Sequence, residues 1–220
     1  MSRNDKKLND VVLSYYDCLL RRADVNLLKG PCWLNDALVG FYFEYLNRKF
    51  QDADTNKSLF ISPEMTQLLK LSDISEYDIF LEPINVSSSA FVFFPLNNCD
   101  SRVNAGGSHW SLLVFSRPEK ICFHFDSSKG INRDIAKEFS RKIMDYLLGK
   151  GLGSFTEVNC PQQDNGYDCG LFVLCFTDIL SYHIKDNKKI DKCNFDTVKN
   201  TVRSKRQSLL EFVNELSDNS

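Results

Sequence analysis

The sequence is short of several features that would have assigned it at once. It has no excess of positive charge: 27 lysines and arginines against 29 aspartates and glutamates leave a formal net charge of −2. Nucleic-acid binding draws much of its affinity from a clustered basic face, so that class is not expected. The two short basic runs, Lys188-Lys189 and Arg203-Ser204-Lys205-Arg206, have acids within a few residues and read as solvated surface. No uninterrupted apolar run reaches transmembrane length, so no membrane partner is expected. The opening MSRNDKKLND lacks the apolar stretch of a secretory signal, which points to the cytosol or nucleus. None of the eight cysteines forms a Cys-x-x-Cys pair, which removes the usual zinc spacing, and in that compartment they are expected as free thiols. Repeats, low-complexity tracts and linkers are also lacking.

What is there is the composition of an ordinary globular domain. Hydrophobic residues make up 43%, with 17 phenylalanines and eight tyrosines, enough bulk for a core without staples. One domain is expected over residues 10–220, behind a short charged extension at 1–9. Apolar spacing predicts helices at 10–22, 35–50, from Ser62-Pro63 onward, 75–82, 132–148, 169–184 and 195–216. Short β-branched and aromatic runs predict strands at 90–96, 109–115, 120–126 and 154–159. Helices, then strands, then helices again define an α+β class.

The two central strands bring chemistry together. With Ser116 paired to Glu119 across a turn at Arg117-Pro118, Trp110, Leu112 and Val114 face Phe125, Phe123 and Ile121, an apolar set. The same register sets His109 opposite Asp126, close enough for a side-chain hydrogen bond. A carboxylate-held histidine is a general base of fixed tautomer. Its nucleophile is expected to be Cys169, which opens the helix after QQDNGYD; the helix N-terminus stabilises a thiolate there. The Cys169 amide and the side chain of Gln163 are candidates for the oxyanion hole, and Gly170 would give room to a substrate backbone. Each residue has a plainer reading alone: Cys169 as core, His109 as an ordinary strand residue, Asp126 as a turn cap.

Four segments, WLND at 33–36, GGSHWSLLVF at 106–115, FHFDSS at 123–128 and PQQDNGYDCG at 161–170, resemble the Ulp/SENP family of ubiquitin-like-modifier proteases. The likeness runs from about residue 10 to the final helix and is greatest to the family's small deneddylase subgroup, through VVLSYYDCLLRRADVNLL, FISPEMTQLLK, FLEPINV and AGGSHW. It implies a papain-like cysteine protease with a central mixed sheet flanked by helices, active as a monomer without metal or cofactor. His109, Asp126 and Cys169 would then be the triad and Gln163 the oxyanion donor. Trp33 and Trp110 would sandwich the Gly-Gly tail of a ubiquitin-like modifier, expected to be the neddylation modifier. Asp36 would lie near basic residues of that tail, and the Asn104-Ala105-Gly106-Gly107 loop would close over it. Both tryptophans also have a core reading, and the loop glycines could form an inert turn. Rival expectations are a SUMO-directed protease of the same fold, a cysteine-dependent acetyltransferase, and a binding module that has lost catalysis.

Overall fold

A computed structural model describes residues 7–50, 57–101 and 106–219. Its centre is a five-stranded mixed sheet in the order β3-β4-β5-β6-β7: Ser58–Phe60, Phe91–Asn97, Trp110–Ser116, Ile121–Phe125 and Ser154–Glu157. The two central pairings are antiparallel and the two outer ones parallel. Alternate residues supply two cores, as a sheet buried on both faces requires. Phe93, Leu112, Val114 and Phe125 pack with helices α2 (Asp36–Phe50), α6 (Cys169–Asn187) and α7 (Val198–Asp218). Phe94, Leu113, Phe115 and Cys122 pack with α3 (Pro63–Leu71), α4 (Tyr77–Leu81) and α5 (Arg133–Leu147). Ser62 caps α3, accepting from the Met65 amide at 3.2 Å with Pro63 in the first turn, as the sequence signal required.

The predicted helix at 10–22 is instead a β-hairpin, β1 (Val11–Tyr15) and β2 (Cys18–Arg21), followed by the short helix α1 (Arg22–Asn26). Leu13 faces Leu20, and these two are the hairpin's buried pair. Its turn carries neither glycine nor asparagine; Tyr16 takes the left-handed conformation at φ 49°, with the Arg48 guanidinium 3.9 Å above its ring. A hairpin closed by a tyrosine gives no ordinary turn signal.

The β5–β6 register also differs from expectation. Ser116 pairs with Ile121 and Leu112 with Phe125, so the strands are offset by two residues from the predicted pairing. A two-residue turn at Arg117-Pro118 would need positive φ at the proline in type I′, which its ring forbids, or at Arg117 in type II′, a position that favours glycine. The chain instead makes a four-residue connection with Lys120 at φ 55° and its amide bonded to the Arg117 carbonyl at 3.3 Å.

The basic run near the C-terminus is only partly solvated. Lys188, Lys189 and Arg203 are exposed, whereas Lys205 and Arg206 enter partly buried ion pairs with Asp178 at 2.6 Å and Asp168 at 2.9 Å.

Candidate active site

His109 lies just before β5 and Asp126 just after β6, so both emerge at one end of the sheet. The two-residue offset keeps them on one face, because side chains alternate with period two. They meet as diagonal rather than directly opposed neighbours, and the imidazole spans the gap: His109 Nε2–H donates to Asp126 Oδ1 at 2.6 Å. Both are buried. Asp126 also accepts from the amides of Ser128 at 2.9 Å and Asn132 at 3.1 Å. Burial works to raise its pKa, but the His109 hydrogen bond and these amides win and hold it below the usual carboxylate range.

Cys169 is the first residue of α6 and is buried beside His109. With Nε2 turned to the carboxylate, Nδ1 is left for the side of Cys169, which borders the same cleft. Burial alone would push the imidazole down; the bonds to Asp126 and Cys169 and their charges outweigh it and raise its pKa to about 9. The histidine is therefore held protonated at neutral pH, beside the Cys169 sulfur. Burial pushes Cys160 and Cys175 up to about 12, and Cys122 higher still, so they remain inert thiols.

Trp33, Asp36, Gly106, Gly107, Trp110 and His109 border a cleft of about 400 Å³ that reaches Cys169. Trp33 is 51% exposed, which rules out a core role, and its indole N–H donates to the Gly166 carbonyl. Trp110 is 5% exposed and belongs to both cleft and core; its N–H donates to the Leu34 carbonyl at 3.0 Å. Asp36 opens α2 at the mouth, where burial and the charge of Glu64 raise its pKa. Gly107 has φ 84°, and a Cβ there would fall 1.7 Å from Asn97 Oδ1, so its lack of a side chain is required. The Asn104-Ala105 half of that loop lies outside the described residues.

Gln163 sits in the loop that delivers Cys169. Its Oε1 accepts from Ser127 Oγ at 2.8 Å, and Nε2 donates one hydrogen to the Asn165 carbonyl at 2.6 Å. The amide orientation is thereby fixed, with one Nε2 hydrogen uncommitted among the described residues. Gly170 serves a different purpose from the one expected. A Cβ there would lie 2.9 Å from Leu34 Cβ, so the glycine admits the segment that carries Trp33.

No local pattern or motif marks the polar cluster beneath the pair. Asn132, fully buried, donates through Nδ2 to Ser111 Oγ at 2.9 Å and to the Leu96 carbonyl at 3.2 Å. Ser111 Oγ also hydrogen-bonds His124 Nε2 at 2.9 Å, and His124 Nδ1–H donates to Glu157 at 2.7 Å. Asn132 thus joins β4, β5 and the Asp126 turn. Its place after Gly130-Ile131 carries no motif.

A thiol that attacks an acyl carbon needs a fixed proton partner, and a carboxylate-held imidazole at the nucleophile helix is the papain-like cysteine protease solution. Comparison with known proteins makes the class specific. The chain belongs to the Ulp1 protease family, whose C-terminal catalytic domain matches residues 32–212. It is 44% identical over 176 residues to sentrin-specific protease 8 of Homo sapiens, covering 79% of this chain and 82% of that protein. To NEDD8-specific protease 1 of Arabidopsis thaliana it is 33% identical, with 96% of each covered. In fold it is similar to the C-terminal Ulp1 protease domain solved in complex with Smt3, the yeast SUMO orthologue. The TM-score is 0.72 at 19% identity, over 99% of this chain and 96% of that one.

Proposed function

We propose that this protease cuts after the C-terminal Gly-Gly of a ubiquitin-like modifier, with NEDD8 as the preferred one, releasing it from precursors and from lysines of conjugates. The observation that carries the reading is the indole-walled cleft ending on the Cys169–His109–Asp126 line. A passage bordered by Trp33 and Trp110 favours a tail without side chains and disfavours other peptides. The relatives named as NEDD8-specific and sentrin-specific proteases support the choice of modifier.

In this reading the Cys169 thiolate attacks the terminal glycine carbonyl and forms a tetrahedral oxyanion. The Cys169 amide and the second Nε2 hydrogen of Gln163 donate to that oxygen. The leaving amine, whether a lysine side chain or the residue after Gly-Gly, takes its proton from His109. A water that gives its proton back to His109 then hydrolyses the thioester. Asp126 stabilises the imidazolium throughout and fixes which nitrogen faces sulfur.

The test is a panel of NEDD8, SUMO and ubiquitin, each carrying a fluorogenic leaving group after Gly-Gly, assayed with a monodisperse preparation. Turnover of NEDD8 at least about tenfold above the others, a difference of ~1.4 kcal/mol, is expected. A preference for SUMO would replace the modifier assignment. Absence of turnover on all three, together with acetylation of Cys169 by acetyl-coenzyme A, would replace the reaction.

A further inference from the structure

Two segments that meet at the cleft are joined to each other by neither helix nor strand. One runs from Leu27 through Cys32 to Trp33; the other is the loop that ends at Asp168 and delivers Cys169. Arg206, on α7, reaches both. Its Nη1 donates to the Leu27 carbonyl at 2.8 Å, and its Nη2 donates to the Cys32 carbonyl and to Asp168 Oδ1, both at 2.9 Å. Asp168 is fixed on its other oxygen by Asn165 Nδ2 at 2.8 Å, and the guanidinium carbon lies 5.9 Å from the centre of the Tyr167 ring. The Trp33 hydrogen bond to Gly166 closes the same junction from the cleft side.

We propose that Arg206 is a positioning residue for the tail-binding cleft, setting Trp33 in register with the Cys169 loop from behind the cleft wall. This rests on the modifier-tail reading above. Three acceptors spread over two chain segments suit a planar guanidinium; a lysine ammonium at that site cannot reach all of them in the same geometry. Arg206 therefore acts on the wall of the tail site rather than on the sulfur, whose partner His109 it does not touch.

The neighbouring residue supplies an internal control. Lys205 is buried to a similar degree, with 12% of its side chain exposed against 15% for Arg206. It donates to Asp178 and to the Tyr42 hydroxyl, both at 2.6 Å, tying α7 to α6 and α2 away from the cleft. Arg206→Lys and Lys205→Met are compared at a temperature where both are fully folded by circular dichroism. For Arg206→Lys, kcat/KM on a modifier substrate is expected to fall roughly 10- to 100-fold, the scale of a misplaced binding wall. Alkylation of Cys169 by iodoacetamide should stay within about twofold of wild type, a difference of ~0.4 kcal/mol in barrier. In a Trp33→Ala background the Arg206→Lys effect should largely vanish, since the wall it sets is gone. Lys205→Met should retain wild-type kinetics per folded molecule.

Acrylamide quenching of tryptophan fluorescence gives a second readout that needs no substrate. Trp33 is half-exposed and Trp110 buried, so added quenching reports Trp33. Increased quenching in Arg206→Lys but not in Lys205→Met is expected. Unchanged quenching, an alkylation rate that falls in step with turnover, or kinetics matching Lys205→Met would each overturn the assignment. A wild-type enzyme inactive on every modifier would sink the functional reading, while the quenching comparison would still decide whether Arg206 sets Trp33.

Discussion

Replacement of Trp33 by alanine separates a binding wall from a packing residue. The indole is 51% exposed and makes one side-chain hydrogen bond, to the Gly166 carbonyl. Half-burial of a large apolar side chain contributes about 1 kcal/mol, and the hydrogen bond about 1 kcal/mol. The variant should therefore lose about 2 kcal/mol, lowering Tm by roughly 4–8 °C for a chain of this size. Against a typical stability of about 5–15 kcal/mol, such a loss leaves nearly every molecule folded at 25 °C. Activity should suffer far more. Truncating an aromatic anchor commonly costs about 2 kcal/mol or more of binding, near 30-fold in kcat/KM. The assay is initial-rate turnover of a Gly-Gly modifier substrate beside thermal melts of the same preparation. A kcat/KM within threefold of wild type, with the melt shifted as expected, would refute the cleft-wall role. Trp110→Ala is the poorer probe, because a Trp→Ala change in the core costs about 3–5 kcal/mol by itself.

Cys169→Ala should abolish turnover while binding of the intact modifier, read by calorimetry, is retained; residual cleavage would remove Cys169 from the chemistry. Turnover needs the imidazolium, so the pH profile of kcat/KM should fall on its alkaline side near the His109 value of about 9. Asp126→Asn removes the anion and should move that limb toward the ordinary imidazole range; an unmoved limb would show that Asp126 does not hold the charge. The same pair links to stability with opposite signs. The His109 contribution is complete below 6.5 and is lost as pH rises through about 9, whereas that of Asp126 is present above its ordinary value and is lost as pH falls through its depressed one. Melts across pH should show both losses in wild type and neither at full size in Asp126→Asn. Asn132→Ala keeps the backbone bond to Asp126 but strips the bonds to Ser111 and the Leu96 carbonyl, for a loss of roughly 2–4 kcal/mol and a larger effect on kcat than on KM. Denaturant titration and steady-state kinetics check this; wild-type stability would show that the cluster is dispensable.

The contrast between legible and illegible features has physical causes. The central strands, the α3 cap and the helix that opens at Cys169 follow local rules of alternation, capping and turn chemistry, so the residues alone give them away. The hairpin at 11–21 did not, because its turn rests on a tyrosine stabilised by a distant arginine. The β5–β6 register shows a subtler limit. A shift of two residues leaves every side chain on its face, so apolar alternation cannot detect it, and only the proline turn set the pairing. Face parity was enough to bring His109 and Asp126 together, through a diagonal contact instead of a direct one.

By itself the sequence determined the α+β class, the chain order of the triad residues and the cleft tryptophans, since each is written in local pattern or motif. The tertiary structure alone decided what surrounds them. Leu34 rather than substrate occupies the space at Gly170. Asn132, Ser111, His124 and Glu157 underlie the imidazole–carboxylate pair, and Arg206 reaches the cleft from the final helix. These contacts join residues many positions apart, in segments with no periodic or motif signal. Long-range side-chain hydrogen bonds leave no trace in local propensity, so only the folded chain reveals them.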